Sequence, residues 1–181
     1  MKVIDNFLSV SYHKELRDYM NSPYFEWHYN SNITNEDKES SLNEFGFFSM
    51  FYDENGLRES TISRFWYPGL LQTLDAVNGS RILRSRGDMT MYDPTNKVHD
   101  IHTDFDYPHI SVVYYVNDSD GDTIFYDGTK VMGKIPENVK ETNRVTPKAN
   151  SLVMFDGSTL HTSTSPTKHK NRIIINSNFA K

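Results

Sequence analysis

Residues 99–109, His-Asp-Ile-His-Thr-Asp-Phe-Asp-Tyr-Pro-His, hold three of the chain's seven histidines together with three aspartates. Imidazole and carboxylate are the side chains that hold divalent transition metals. His102 and Asp104 stand at i and i+2, a spacing that turns both side chains to one face of a strand. One imidazole and one carboxylate are two-thirds of the facial triad that binds non-haem Fe(II) and leaves the far side of the octahedron open. A polar strand end would look the same, so the pair alone carries little weight. His161 offers the third ligand. It follows the apolar run 152–155 and an Asp-Gly turn in "SLVMFDGSTLH", although a surface histidine on a Ser/Thr-rich loop is the plainer reading of that residue by itself. Arg172, eleven positions further on, opens the otherwise apolar run "NRIIINSNF". A guanidinium there is costly to bury without an anion. A dicarboxylate is a partner it can grip through two parallel hydrogen bonds.

The bulk composition narrows the alternatives. A chain of 181 residues suits one hydrophobic core, so a single domain over 1–181 is expected, with support from 1–80 and a β-rich core in 81–181. There are no cysteines, which excludes disulfides, thiolate zinc sites, iron–sulfur clusters and cysteine nucleophiles. That fits a cytoplasmic setting. Net charge of -5 and a pI near 5.8 argue against a nucleic-acid coat. Mean hydropathy is -0.64, and no apolar run approaches the roughly 20 residues that span a bilayer. The N-terminus does not read as a signal peptide.

The positioning elements can be read in outline. Ser9 or Ser11 caps a short helix with Leu16, Tyr19 and Met20 as its stripe, closed by Pro23. "YFEWHYN" reads as a strand, residues 30–44 as a polar loop or lid, and "FGFFSMFYDENG" as a strand ending in an Asn-Gly turn. A second helix starts near Pro68 and stops before Gly79, with Leu70, Leu71, Leu74 and Val77 at helical spacing. From Ser80 onward, short β-rich runs alternate with turns: "RILRSR", "DMTMY", "HISVVYYVN", "DTIFYDG", "SLVMFDG" and "RIIINSNF". This predicts an α+β protein: a barrel or jelly roll with N-terminal helices packed on one face. There is no internal repeat.

His-x-Asp, a distal His and a basic residue about ten positions later resemble the Fe(II)/2-oxoglutarate-dependent oxygenase superfamily, its prolyl-4-hydroxylase-like branch above all. The likeness runs from about Arg81 to Phe179. "ISVVYYVND" is similar to the branch's "YYLN" strand, "GDTIFYDG" to its "GGxTxF" element with one glycine missing, and "TPKANSLVMFDGSTLH" to its proline-led run into the distal histidine. "YFEWHYN" and "INSNF" look more like short stand-alone phage and bacterial members. The resemblance implies a double-stranded β-helix of cupin type. It implies Fe(II) on His102, Asp104 and His161, and 2-oxoglutarate on Arg172 with Tyr92, Tyr115 and Ser111. It also implies O2 as oxidant, with ascorbate a candidate reductant. The activity implied is hydroxylation of a C–H bond in a protein side chain, such as proline, or in a small metabolite. Tyr92 and Tyr115 read equally as amphipathic packing.

Strand parity puts Ser111, Val113 and Tyr115 on one face, and Arg172, Ile174, Asn176 and Asn178 on another. Asn176 and Asn178 would then face substrate or water. By family analogy Trp27, Tyr29 and the 30–44 loop would form the substrate mouth. His99, of opposite parity to His102, is expected at the rim, His109 and His169 at the surface, and His13 on a helix face without a role. Arg81, Arg84 and Arg86 do not all share a face and are expected solvated or paired, contact with an anionic substrate being the lesser alternative. Two other functions compete: a non-catalytic jelly-roll module with a vestigial site, and a zinc or manganese hydrolase. The second leaves Arg172 unexplained and has no evident general base.

Overall fold

The computed structural model describes residues 1–31, 45–131 and 133–181. Two helices and eleven strands are seen among them. In chain order they are β1 (Lys2–Ile4), α1 (Val10–Met20), β2 (His28–Asn30), β3 (Gly46–Asp53), β4 (Gly56–Leu57), α2 (Thr61–Val77), β5 (Arg81–Met91), β6 (Ile110–Tyr115), β7 (Thr123–Tyr126), β8 (Glu141–Val145), β9 (Ser151–Asp156), β10 (His161–Ser163) and β11 (Asn171–Ala180). The strands form two antiparallel sheets. The larger has the order β1-β9-β6-β11-β5-β3-β2, with β4 on β3, and the smaller is β10-β7-β8. This is the expected α+β jelly roll. β1, β2 and β3, all from the first 80 residues, extend the larger sheet.

β6, β9 and β11 are buried along most of their length because both of their faces are covered. Alternate residues divide between two cores. Val113, Tyr115, Val153, Phe155 and Ile174 meet Phe125 of the small sheet, with the Phe125 and Phe155 rings edge to face at 4.9 Å. Their neighbours Val112, Tyr114, Leu152, Ile173 and Ile175 bury against Leu16 and Met20 of α1 and Trp66 and Leu70 of α2. The helices therefore clad the outer face of the large sheet and leave its inner face for the site.

Several expectations need correction. α1 is capped by Ser9, one of the two serines expected there, whose hydroxyl accepts from the Tyr12 N–H. His13 is buried, with Nδ1 2.7 Å from the Tyr114 hydroxyl; it ties the helix to β6. α2 begins at Thr61 under a Ser60 cap, so Pro68 lies inside it and not near its start; Asn78 in the left-handed conformation caps its end, and Gly79 stands just past it as expected. A proline offers no N–H to the turn before it. Here the Tyr12 hydroxyl enters the ladder beside the proline, donating to Phe65 O at 2.6 Å and accepting from Gly69 N–H at 3.3 Å. β5 is one strand, not two runs parted at Gly87. A Cβ on Gly87 would lie 2.8 Å from Phe51 Cζ and 3.0 Å from Met20 Cε, so this glycine marks a close approach of α1 and β3. β8 is exposed and polar along most of its length, which hid it from pattern reading. No helix among the described residues is long and apolar enough to cross a membrane.

Candidate metal and 2-oxoglutarate site

His102 lies in an extended segment between β5 and β6, opposite His161 at the start of β10. Two backbone hydrogen bonds join them, His102 N–H to His161 O at 2.9 Å and His161 N–H to His102 O at 3.0 Å. The imidazole centroids are consequently 4.6 Å apart. Asp104 joins them, so that one ligand atom from each of the three residues lies within 4.8 Å of the others. The tautomers suit a metal. His102 Nδ1 is 3.0 Å from Asp100 O, and His161 Nδ1 is 3.0 Å from Thr159 O. A carbonyl only accepts, so each Nδ1 carries the proton and each Nε2 keeps a lone pair for coordination.

Asp104 is held by donors from three strands. Oδ1 accepts from Arg84 Nη2 and Asn176 Nδ2, both at 2.9 Å, and Oδ2 from Ser111 Oγ at 2.7 Å and Asn178 Nδ2 at 2.9 Å. Burial alone would raise its pKa. The charges of His161, Arg84 and His102 and the Ser111 hydroxyl outweigh burial and hold the carboxyl far below the usual carboxylate range. His161 moves down to about 4, first because it is buried and then because His102 stands beside it, against the opposing pull of Asp104. At neutral pH the cluster is a neutral imidazole beside a carboxylate, the protonation state that a divalent cation requires.

Arg172 lies in the same cavity as His102 and His161. It is 4% exposed, and burial pulls its pKa below the ordinary arginine value. Nη2 donates to Thr123 Oγ1 at 2.8 Å, the guanidinium carbon is 5.9 Å from the Tyr115 ring centroid, and Nε is buried without a partner. Among the described residues no carboxylate pairs with it. Thr123 Oγ1 also accepts from the Tyr115 hydroxyl at 2.8 Å. With both lone pairs used, its own hydrogen is left to donate, beside an uncompensated cation. Gly121 makes room for this: a Cβ there would lie 2.9 Å from Arg172 Cδ and 2.7 Å from Thr164 O. The two halves fit Fe(II) and the far carboxylate of 2-oxoglutarate on donor chemistry alone.

Residues 87–180, more than half of the chain, match the family model described as the 2OG-Fe(II) oxygenase superfamily. The chain belongs to this superfamily. It is a 2-oxoglutarate-dependent Fe(II) oxygenase, and Fe(II) and 2-oxoglutarate are its cofactor and co-substrate. Solved structures share the fold. A Pseudomonas putida prolyl-4-hydroxylase aligns with a TM-score of 0.59 at 14% identity, covering 99% of this chain and 92% of its own. A Trichoplax adhaerens prolyl hydroxylase, solved with a hypoxia inducible factor peptide fragment, gives 0.63 at 15% identity over 98% and 82%. HygX from Streptomyces hygroscopicus, solved with nickel, 2-oxoglutarate and hygromycin B, gives 0.61 at 10% identity over 98% and 81%. At these identities the likeness is one of fold. No curated protein sequence matches.

The fold gathers His102, Asp104 and His161 into one cluster, lines one cavity with the two histidines and Arg172, sets the Tyr115 ring beside that guanidinium, and places other named residues elsewhere. Tyr92 is 53% exposed and lines a separate hollow with Phe45 and Pro94. Thr90, opposite Arg172 in register and buried, faces the cavity in its place. Ser111 is spent on Asp104 rather than on a co-substrate. Asn178 is also fully engaged, since its Oδ1 accepts from Arg84 Nε at 3.0 Å. Trp27 packs with the helix-side core, its Nε1 3.3 Å from Met20 O. Tyr29 is exposed at the sheet edge against Phe45 and Phe47. Of the 30–44 loop, residues 32–44 lie outside the described residues. His99 is buried, 3.1 Å from Ser165 Oγ, not at the rim, and His109 is fully buried, not at the surface. His169 is exposed as expected, paired to Asp120 at 2.8 Å. Arg84, expected solvated or paired, is paired to Asp104; its place beside a metal ligand, and the role of Thr123, were not foreseen. Arg84 shares strand parity with Arg86 and Asp88, and Thr123 with Phe125; facing positions on those strands were the available signal.

Proposed function

We propose that the protein hydroxylates a C–H bond of a small metabolite or a protein side chain, with Fe(II) held by His102 Nε2, His161 Nε2 and Asp104. The far carboxylate of 2-oxoglutarate sits on Arg172 and Thr123. When bound, Fe(II) and 2-oxoglutarate supply oxidative decarboxylation: 2-oxoglutarate gives succinate and carbon dioxide, and dioxygen divides its two atoms between succinate and the substrate hydroxyl. The chain's own groups do the rest. Arg84, Ser111, Asn176 and Asn178 fix the carboxylate's angle. The Thr159 and Asp100 carbonyls fix the imidazoles. Phe125, Phe155 and Val113 keep the inner end apolar and exclude water from the reacting centre. The observation that carries the reading is the pairing, in one cavity, of a three-ligand cluster with a buried guanidinium that lacks a carboxylate.

The test is spectroscopic. Protein loaded anaerobically with Fe(II) and 2-oxoglutarate is expected to show a weak visible charge-transfer band, absent in His161→Ala and lost or weakened in Arg172→Gln. Slow succinate release in air should accompany it. Folded, metal-loaded protein with neither band nor succinate would return the chain to a non-catalytic jelly-roll module. The prolyl hydroxylases and the hygromycin-bound enzyme among the fold neighbours make prolyl peptides and small polar metabolites the first substrates to screen.

A further inference from the structure

The cavity also presents polar groups that the chemistry above leaves unused. Arg86 and Asp88 on β5 lie opposite Asn176 and Ile174 on β11 in register, and all four line the cavity. Directly opposed residues of an antiparallel pair share a face, so this patch adjoins the metal ligands. Arg86 Nε is 2.8 Å from Asp88 Oδ1, the two side chains are 19% and 22% exposed, and the guanidinium lies 5.8 Å from the Phe48 ring centroid. Asn176 is 8% exposed. Its Nδ2 is spent on Asp104, while its Oδ1 is buried with no hydrogen-bond partner. A buried carbonyl oxygen left unpaired is costly, and a donor from a ligand removes that cost.

We infer that this patch binds the substrate and that the substrate is a small zwitterion, a free α-amino acid. Its carboxylate goes to Arg86 and its ammonium to Asp88 and Asn176 Oδ1. The inference rests on the oxygenase reading and names the substrate class for it. The two cationic positions of the cavity differ in kind. Arg172 has no carboxylate beside it and so suits an anion. Arg86 and Asp88 stand as an ion pair, one charge of each sign side by side, and so suit a ligand that carries both signs. A zwitterion entering between them meets each charge with its opposite and replaces one ion pair by two. A peptide offers neutral amides at both places and would leave the Arg86–Asp88 pair closed. An ammonium at Asn176 Oδ1 also sets the amino acid's carbon atoms next to Asp104, whose oxygen the same carboxamide holds.

The experiment compares free L-amino acids with their N-acetyl, carboxamide-capped forms and with a prolyl peptide. Succinate is measured with Fe(II) and 2-oxoglutarate in air, and binding is measured by calorimetry on protein holding Ni(II) and 2-oxoglutarate. At least one free amino acid is expected to raise succinate release about tenfold over the substrate-free rate, and its capped form is not. Arg86→Gln and Asp88→Asn are each expected to weaken that amino acid's binding about tenfold while the KM for 2-oxoglutarate moves less than about twofold. The inference is overturned if a capped form or the peptide serves as well, if no free amino acid binds or stimulates, or if both variants leave amino-acid binding unchanged. The charge-transfer band of the wild type is recorded before any amino acid is added. Its absence would fail the oxygenase reading of the site, a result distinct from a band-positive protein that ignores amino acids.

Discussion

Asp104 accepts four hydrogen bonds, and the donors come from β5, β6 and β11. Groups that orient a ligand in this way commonly set metal affinity by about 10- to 100-fold. Ser111→Ala or Asn178→Ala is therefore expected to weaken Ni(II) binding by roughly that factor, read by calorimetry. Unchanged affinity would mean that the backbone alone aims the carboxylate. The pH dependence follows from His161, whose pKa falls from 6.5 to about 4. A lowered histidine pKa means that protons compete with metal only in stronger acid. The His161 proton should thus contest Ni(II) only as pH falls from 6.5 toward 4. The metal-free fold should lose stability over the same interval, because the unfolded chain takes a proton there that the folded site refuses. Metal-free stability that stays level from pH 6.5 down to 4 would show that His161 is solvated. The triad and Arg172 were legible in the sequence because residue type and spacing state their chemistry. Arg84 and Thr123 were not, since their roles exist only once β5 meets β11 and β7 faces β6. His99 and His109 misled for a related reason: a histidine's burial is not written in its neighbours.

Among the elements, α2 departs most from its sequence pattern. Pro68 looks like a first-turn residue because proline is favoured there. It is tolerated in mid-helix because the Tyr12 hydroxyl, from another helix, serves one carbonyl and one N–H of the disturbed turn. Tyr12→Phe removes both bonds at once and is expected to cost about 1–3 kcal/mol, measured as a shift in urea midpoint at constant slope. Gly87→Ala should be similarly harmful, about 1–3 kcal/mol, by driving a methyl into Phe51 and Met20. A neutral result would show that α1 can shift away from β5. Neither effect could be read from periodicity, because each depends on what packs across the element rather than along it.

For the molecule as a whole, the β-rich half was legible as a jelly roll, and the first 80 residues as its support. The share of that support in the main sheet was not: β2 and β3 were expected as strands, but their pairing onto β5 depends on contacts across the sheet, and β1 is too short to carry a pattern. A fragment of residues 81–181 would expose Tyr114, Leu152, Ile173 and Ile175, which α1, α2 and β3 now cover. It is expected to bind a hydrophobic dye and to lack a cooperative thermal transition; a sharp transition would show that the core folds alone. The three ligands also straddle the sandwich. His161 belongs to the small sheet, whereas the carboxylate of Asp104 is moored to three strands of the large one. A bound ion thus acts as a rivet through both layers, closing a loop of some sixty residues much as a covalent cross-link would. Starving the protein of iron should then do more than silence it: the seam is left to the two backbone hydrogen bonds between His102 and His161, and the chain there is expected to yield sooner to proteases.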